Sequence, residues 1–311
     1  MTLLYGSIQL GLIFGLLAFG IYITFRILNI PDLTTEGSFT LGLAISANFT
    51  VHGHPYLGIL CAILAGCLAG CITGLLQTKL FVHPVLAGIL TMCGLYSINL
   101  AILGSSVNLS LIGHNTLFRL AQNQFSMIDK DVLKIIISFL AVILVGFLLS
   151  RFFKTHIGLC IRATGDNEGM VSASSINVHG TKILALAISN GCIALAGGLY
   201  AQYQGFADIN SGVGILIVGL ASVIIGEVFF GKRSVTIGLI SAVVGSIVYR
   251  LIIACANKYS FLPATMLRLV SAVIVAIALS LPAIKHYFNI YKAKSNYQKT
   301  YKGGAKHVRN Q

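Results

Sequence analysis

Acidic side chains are scarce: there are eight in 311 residues, and charged residues of every kind make up only 9% of the chain. Soluble domains carry about a quarter charged residues, so a water-soluble globular domain is excluded. Strict alternation of apolar and polar residues, the mark of a transmembrane β-barrel strand, is also missing, because the apolar runs are continuous. The seven cysteines, at 61, 67, 71, 93, 160, 192 and 255, contain no CxxC pair and are odd in number. They read as small buried hydrophobes rather than as disulfides or metal ligands. The opening MTLLYGSIQLGLIFGLLAFG lacks the basic n-region and small-residue cleavage site of a signal peptide, so it reads as a retained first span.

What is present is apolar length. Hydrophobic residues make up 56% of the chain and the mean hydropathy is +0.89. A hydrocarbon core is crossed by about 20 helical residues, and runs of that length recur throughout. The expected fold class is therefore an all-α polytopic membrane protein of about nine transmembrane segments, some of them short or broken. They fall near 3–28, 38–53, 56–80, 84–104, 131–153, 181–204, 211–230, 234–255 and 264–284. Residues 1–285 form the transmembrane domain, with a cytoplasmic segment at 151–182, and 286–311 form a basic cytoplasmic tail.

Lys and Arg accumulate in cytoplasmic loops. With the C-terminus inside, fifteen of the 21 basic residues lie on the inner side, seven of them from Lys285 onward. The outer side receives Arg119, Lys130, Lys134, Arg250, Lys258 and Arg268. An odd span count puts the N-terminus outside. The acid-free tail reads as a membrane-surface and topology signal facing anionic headgroups, not as a nucleic-acid site. Ala62, Gly66, Gly70 and Gly74 recur every four residues along the third span. Small residues in that pattern let a neighbouring backbone approach where lipid offers no hydrophobic drive. Gly238, Ala242 and Ser246, and Gly11 with Gly15, are expected to do the same.

The few acids mark the places of interest. Asp129 and Asp131 belong to the polar loop 105–130 and read as solvated loop charges. Asp32 and Glu36 sit in NIPDLTTEGSF, where Pro31 and Gly37 break the helix and Thr34, Thr35 and Ser38 supply hydroxyls. Non-helical backbone at membrane depth is tolerated only where protein buries it or water reaches it, and transporters bind solutes at such breaks. Two readings of Asp32 stand side by side: it lines a substrate path with Thr34, Thr35, Glu36, Ser38, Asn99 and Asn190, or it caps the second helix beside Arg26. Asn99 and Asn190 are polar amides inside spans, which need partners there; bonds between helices would satisfy them equally. ADINSGVGILIVGLASVIIGE, from Ala207, echoes the first segment from the opposite face, as an inverted repeat would. Glu227, near the inner end of that span, is expected in an ion pair with Lys232 or Arg233.

The third polar island is IRATGDNEGMVSASSINVHGTK, residues 161–182. Gly165 allows a turn, Asp166 can cap a short helix with Glu168 in its first turn, and Gly180 can end it. Met170, Val171, Ser174, Ser175 and Val178 give a small semi-apolar face of the kind a partner's groove accepts.

Three stretches carry a family resemblance. The run GLCIRATGDNEGMVSASSINVHGTKILALAISNGCIALAGGLYA resembles the coupling segment and following span of the branched-chain amino acid and ribose type permeases of bacterial ABC importers. NIPDLTTEGSFTLGLAISA and HPVLAGILTMCGLYSINLAILG resemble the narrower tryptophan/tyrosine-type branch. The likeness runs from about residue 5 to 285. It implies a permease subunit in the bacterial cytoplasmic membrane that works as a pair of copies and imports a small polar solute; the wider family implies an amino acid, and the narrower branch an aromatic one. It also implies an extracellular or lipid-anchored binding protein and cytoplasmic ATPase subunits, which would hold ATP and magnesium. The coupling role then falls on Arg162, Gly165, Asp166, Asn167, Glu168, Met170 and Ser174. Where many relatives have two glycines, this chain has Gly226-Glu227.

The chain itself reads as no enzyme. Gly226, Gly231 and Lys232 almost spell a phosphate-binding loop, but Arg233 stands where the magnesium-holding Ser or Thr belongs. His52 and His54 flank a glycine with no third metal ligand nearby. Two other readings remain: an ion-coupled secondary transporter using Asp32, Glu36 or Glu227, and a membrane scaffold that transports nothing.

Overall fold

A computed structural model describes residues 2–124, 129–231, 234–259 and the helical positions 273, 276 and 280. The fold below is that of the unit Met1–Leu262. It is built from helices α1 (Thr2–Ile21), α2 (Thr34–Val51), α3 (Pro55–Thr78), α4 (Pro84–Ile102), α5 (Leu117–Gln124), α6 (Lys130–Phe152), α7 (His156–Asp166), α8 (Glu168–Ala173), α9 (Val178–Gln204), α10 (Ile215–Phe230) and α11 (Val235–Tyr259). Two short strands, β1 (Asn108–Ser110) and β2 (Phe206–Asp208), pair antiparallel.

Breakers set the boundaries where the sequence places them. Pro55 and Pro84 open α3 and α4 at their first turn, where a missing N–H is harmless. Gly205 and Gly214, both left-handed, end α9 and begin α10. The end of α1 is less regular: Tyr22–Ile27 is a π-helix, closed by Leu28 N–H to Ile23 O at 2.9 Å and Ile30 N–H to Thr24 O at 3.0 Å. Such widened turns concentrate at functional sites, and no hydropathy pattern announces one.

Seven helices among the described residues are long and apolar enough to cross a membrane: Leu4–Ile27, Pro55–Thr78, Pro84–Ile102, Lys130–Phe152, Val178–Gln204, Ile209–Phe230 and Val235–Cys255. The expected span 38–53 is α2, which is enclosed by protein over most of its length. The expected span 264–284 and the tail 286–311 lie outside the described residues. Residues 105–124 of the loop 105–130 hold more regular structure than expected. Its β1 pairs with the strand leaving α9, Leu117 N–H donates to Gln202 Oε1 at 2.8 Å, and Phe118 is buried against Tyr203. Three residues are too few for an alternating pattern to show. Arg250, expected among outer charges, instead lies over the Phe14 ring, 3.8 Å from its centroid.

The centre of the bundle is α9, packed on α1, α2 and α3. The expected small-residue stripe on α3 meets it along its length: a Cβ at Gly66 would overlap the Asn190 carbonyl, one at Gly70 the Leu186 carbonyl, and one at Gly74 the Ile183 backbone. Gly42 of α2 abuts Ala194, and Gly197 abuts the Phe39 carbonyl. The second stripe also behaves as expected, since Ser246 donates to Gly11 O at 2.7 Å and Gly15 faces Val243. The cysteine expectation needs correcting: all seven are free, but only Cys160 and Cys192 are buried, while Cys93 and Cys255 are exposed.

Glycine at these crossings is a steric requirement, so Gly66→Leu should lower the melting temperature of the detergent-purified chain. The expected loss is about 1–3 kcal/mol or more, the usual cost of overpacking. Gly94, with nothing within 4 Å of an added Cβ, is the control: Gly94→Leu should leave the melting temperature unchanged.

Candidate functional site

Two ends of the bundle can be told apart by contact. At one, Gln202 Nε2 donates to Pro55 O at 3.1 Å and β1 pairs with β2. At the other, the end of α1, α7, α8, the turn after α3 and Gly231 at the end of α10 converge.

The second end holds the 151–182 segment. Thr155 caps α7, its Oγ1 accepting from Gly158 N–H at 3.3 Å. Asn167, not Asp166, caps α8: its Oδ1 accepts from Met170 N–H at 3.0 Å, while Asp166 ends α7. A second correction concerns the exit, because Asn177 caps α9 through Gly180 N–H at 3.0 Å and the helix begins at Val178 rather than after Gly180. Amide side chains outrank carboxylates here because extended backbone at 167 and 177 aims their oxygens at the free N–H groups. The segment is anchored from below by buried Ile161, Thr164, Val171 and Val178. Val171 and Val178 thus leave the outward face expected of them. Arg162, Asp166, Asn167, Glu168, Met170 and Ser174 are exposed, and Ser174 donates to Met170 O at 3.0 Å.

Three contacts tie this platform to the spans. A Cβ at Gly165 would overlap the Ile27 carbonyl, so α7 rests directly on the π-helical end of α1. Thr164 and Thr181 hydroxyls bond at 3.0 Å, joining α7 to α9. Lys182 Nζ bonds Glu168 Oε1 at 2.6 Å. Beside Gly165 a polar cavity of about 330 Å³ is lined by Tyr22, Arg26, Arg162, Asp166 and Glu227 among others. Within it Arg26 Nε pairs with Glu227 Oε1 at 2.6 Å. The ion pair expected for Glu227 exists, but its partner is Arg26; Lys232 and Arg233 lie outside the described residues.

The interior break forms a separate site. Asp32 is 2% exposed. Its Oδ1 accepts from Thr34 N–H at 2.9 Å and its Oδ2 from Asn190 Nδ2 at 2.8 Å. Thr35 Oγ1 donates to Asp32 O at 2.9 Å. Thr34 Oγ1 and Thr73 Oγ1 are 2.8 Å apart, and Thr73 Oγ1 donates to Thr91 Oγ1 at 3.0 Å, a hydroxyl chain across α2, α3 and α4. Both carboxylate oxygens of Asp32 are engaged, while Asn190 Oδ1 has no hydrogen-bond partner among the described residues. Asp32, Thr34, Thr35 and Asn190 therefore act as a lock on the start of α2, with Asn190 in the place expected of Arg26. Ser38 is enclosed, its hydroxyl without a partner among the described residues.

Glu36 and Asn99 differ. Glu36 Oε1 accepts from Gly214 N–H at 2.9 Å, at the start of α10, and both residues line a cavity of about 200 Å³ with Met92, Cys93, Tyr96 and Val213. The echo between the two acidic segments has a local counterpart, since Asp208 Oδ1 accepts from Asn210 N–H at 2.8 Å as Asp32 does from Thr34. The two helix starts meet at Glu36 and Gly214. The NSGVG stretch was the available signal for that meeting.

Residues 3–279 match the family model described as branched-chain amino acid transport system / permease component. The chain belongs to this permease family. The permease is 39% identical over 266 residues to a tyrosine transport system permease protein of Clostridioides difficile (strain R20291), covering 85% of this chain and 86% of that one. It is 35% identical over 233 residues to an uncharacterized protein of Rickettsia prowazekii (strain Madrid E), covering 74% and 79%. A shorter match of 31% over 106 residues, 33% and 31% of the chains, is to an autoinducer 2 import system permease protein of Escherichia coli O9:H4 (strain HS). No solved structure matches. The permease is a multi-pass protein of the bacterial cytoplasmic membrane and a component of a transport system.

If Asp32 is a lock, its acceptors matter more than its charge. Asp32→Ala leaves two buried donors unpaired at about 1–3 kcal/mol each and should abolish monodisperse protein on size exclusion. Asp32→Asn keeps the acceptor for Thr34, and the Asn190 amide, whose Oδ1 has no partner among the described residues, can turn to meet the new N–H at the loss of its Nδ2 bond to Leu186 O. That variant should fold.

Proposed function

We propose that this permease is the membrane subunit of an ABC importer, paired with a second copy and driven by separate ATPase subunits that carry ATP and magnesium. Its solute is a small amino acid, aromatic by analogy with the Clostridioides relative named for tyrosine transport, delivered by an extracellular or lipid-anchored binding protein. The chain contributes the path and the coupling face and does no chemistry itself. Transport-system membership supports this reading, and one observation carries it: an exposed α7–α8 platform is fixed to two spans through Gly165 on Ile27 and Thr164 on Thr181. A platform held in that way passes a push from below to α1 and α9 together, which biases a two-state bundle without any new chemistry.

The platform carries both signs of charge in a small area, with Arg162 and Asp166 exposed beside Met170, and suits a groove in a partner better than a bed of anionic lipid. The ion-coupled alternative loses ground on the same geometry. Asp32 is saturated by Thr34 and Asn190, and Glu227 is held by Arg26, so two of its three proposed carriers are already engaged.

Because Glu168 holds Lys182, the cleaner probe of docking is Asp166. Asp166→Lys should cut copurification of the ATPase from native membranes by about tenfold, the scale of one or two lost polar contacts at an interface, with the permease's own melting temperature unchanged. Undiminished copurification with full uptake would refute the docking role. Uptake by the purified chain in vesicles without ATP would favour ion coupling instead.

A further inference from the structure

The cavity between α2, α4 and the approach to α10 has an unusual balance of polar groups. Glu36 uses one carboxylate oxygen on Gly214 N–H, and its second oxygen makes no hydrogen bond among the described residues. Asn99 is 1% exposed, yet its Oδ1 has no hydrogen-bond partner among the described residues; its Nδ2 is held by Gly37 O at 3.3 Å. The Thr40 hydroxyl, also at the cavity, gives its proton to Glu36 O at 3.0 Å. Among the described residues, no Lys, Arg or His lines the space. Those residues therefore present acceptors and a negative charge with no cation among them, and a buried acceptor left unpaired costs free energy until a donor arrives.

The chemistry selects the guest. A hard metal cation wants about six oxygens, more than Glu36 and Asn99 supply. A carboxylate or phosphate is repelled. A primary ammonium brings three N–H donors and one positive charge, which suits a carboxylate oxygen and an amide oxygen. Around them Met92 and Tyr96 of α4 and Val213 form a wall, and Tyr96 and Val213 are 52% and 56% exposed at the mouth. Resting on the importer reading above, we infer that Glu36 and Asn99 seat the ammonium group of the transported solute, with its apolar body against Met92 and Tyr96.

Glu36 has a simpler role available, as the cap of α10. The two are separable, because Glu36→Gln keeps an oxygen for Gly214 N–H and removes only the charge. Cys93 lines the same cavity and is exposed, so it serves as the reporter. In the full chain with the other six cysteines replaced by alanine, held in lipid nanodiscs, Cys93 is treated with a trimethylammonium-bearing or a sulfonate-bearing methanethiosulfonate. Relative to a free thiol, the cationic reagent should be favoured by about tenfold, the scale of one nearby charge in a partly screened site. Glu36→Gln should remove that preference and leave the melting temperature unchanged. Tyramine should protect Cys93, and 4-hydroxyphenylpropionate, which lacks the amine, should not.

A preference that survives Glu36→Gln, equal protection by both compounds, or a Cys93 that reacts with neither reagent would each overturn the inference. So would amino-acid uptake in cells left at full rate by Glu36→Gln, an outcome that leaves the importer reading intact. If wild-type cells import no amino acid while Cys93 keeps its charge preference and amine protection, the ammonium seat stands and the importer reading falls.

Discussion

The close approach of α9 to α3 and α2 is the constraint on which the other features rest. In lipid there is no hydrophobic gain from bringing two apolar helices together, so contact depends on packing and on interhelical hydrogen bonds. Gly66, Gly70 and Gly74 on α3, Gly42 on α2 and Gly197 on α9 remove the side chains that would hold these backbones apart. Once that contact is made, the polar groups along α9 come within bonding distance of fixed partners: Ser189 reaches Gly20 O at 2.8 Å, Asn190 reaches Asp32, and Gln202 reaches Ser46 Oγ at 2.9 Å. A bulkier stripe would separate each of these pairs and leave buried polar groups unpaired.

The same helix joins the two candidate sites. Its first turn carries Thr181, bonded to α7, and its middle carries Asn190, bonded to the break before α2. The π-helical end of α1 is the second connection, because its widened turn places the Ile27 carbonyl under Gly165 and Arg26 beside Glu227 of α10. In the coupling proposed above, displacement of the exposed platform would reach α9, α1 and α10 through these contacts, and α10 follows the Gly214 N–H that Glu36 accepts. A chain of contacts runs from α7 through Ile27, the Arg26–Glu227 pair and α10 to the small cavity at Glu36.

Much of this was readable from residue order, and the parts that were not have physical reasons. The α3 stripe was visible because a four-residue spacing of small side chains has few other uses in an apolar helix. The exposed α7–α8 pair was visible because a polar run as long as 161–182, with charges of both signs, is too polar to insert between two apolar spans. Its caps were misassigned, since Asn167 and Asp166 compete for one position and backbone angles decide between them. The division of the interior polar residues into a bonded lock around Asp32 and an open cavity depends on which side chains meet across helices far apart in sequence, as Asp32 and Asn190 do. The π-helical turn and the β1–β2 pair leave no periodic trace at all.

The account holds that α7 and α9 move as one body when the platform is pushed. The direct measurement is solute uptake by the assembled transporter with Thr164→Cys and Thr181→Cys in an otherwise cysteine-free chain, before and after oxidation to the cross-link. Uptake that continues at the reduced rate after oxidation is the predicted result. Uptake that stops on oxidation and returns on reduction would show that the two helices must slide apart, and would contradict it.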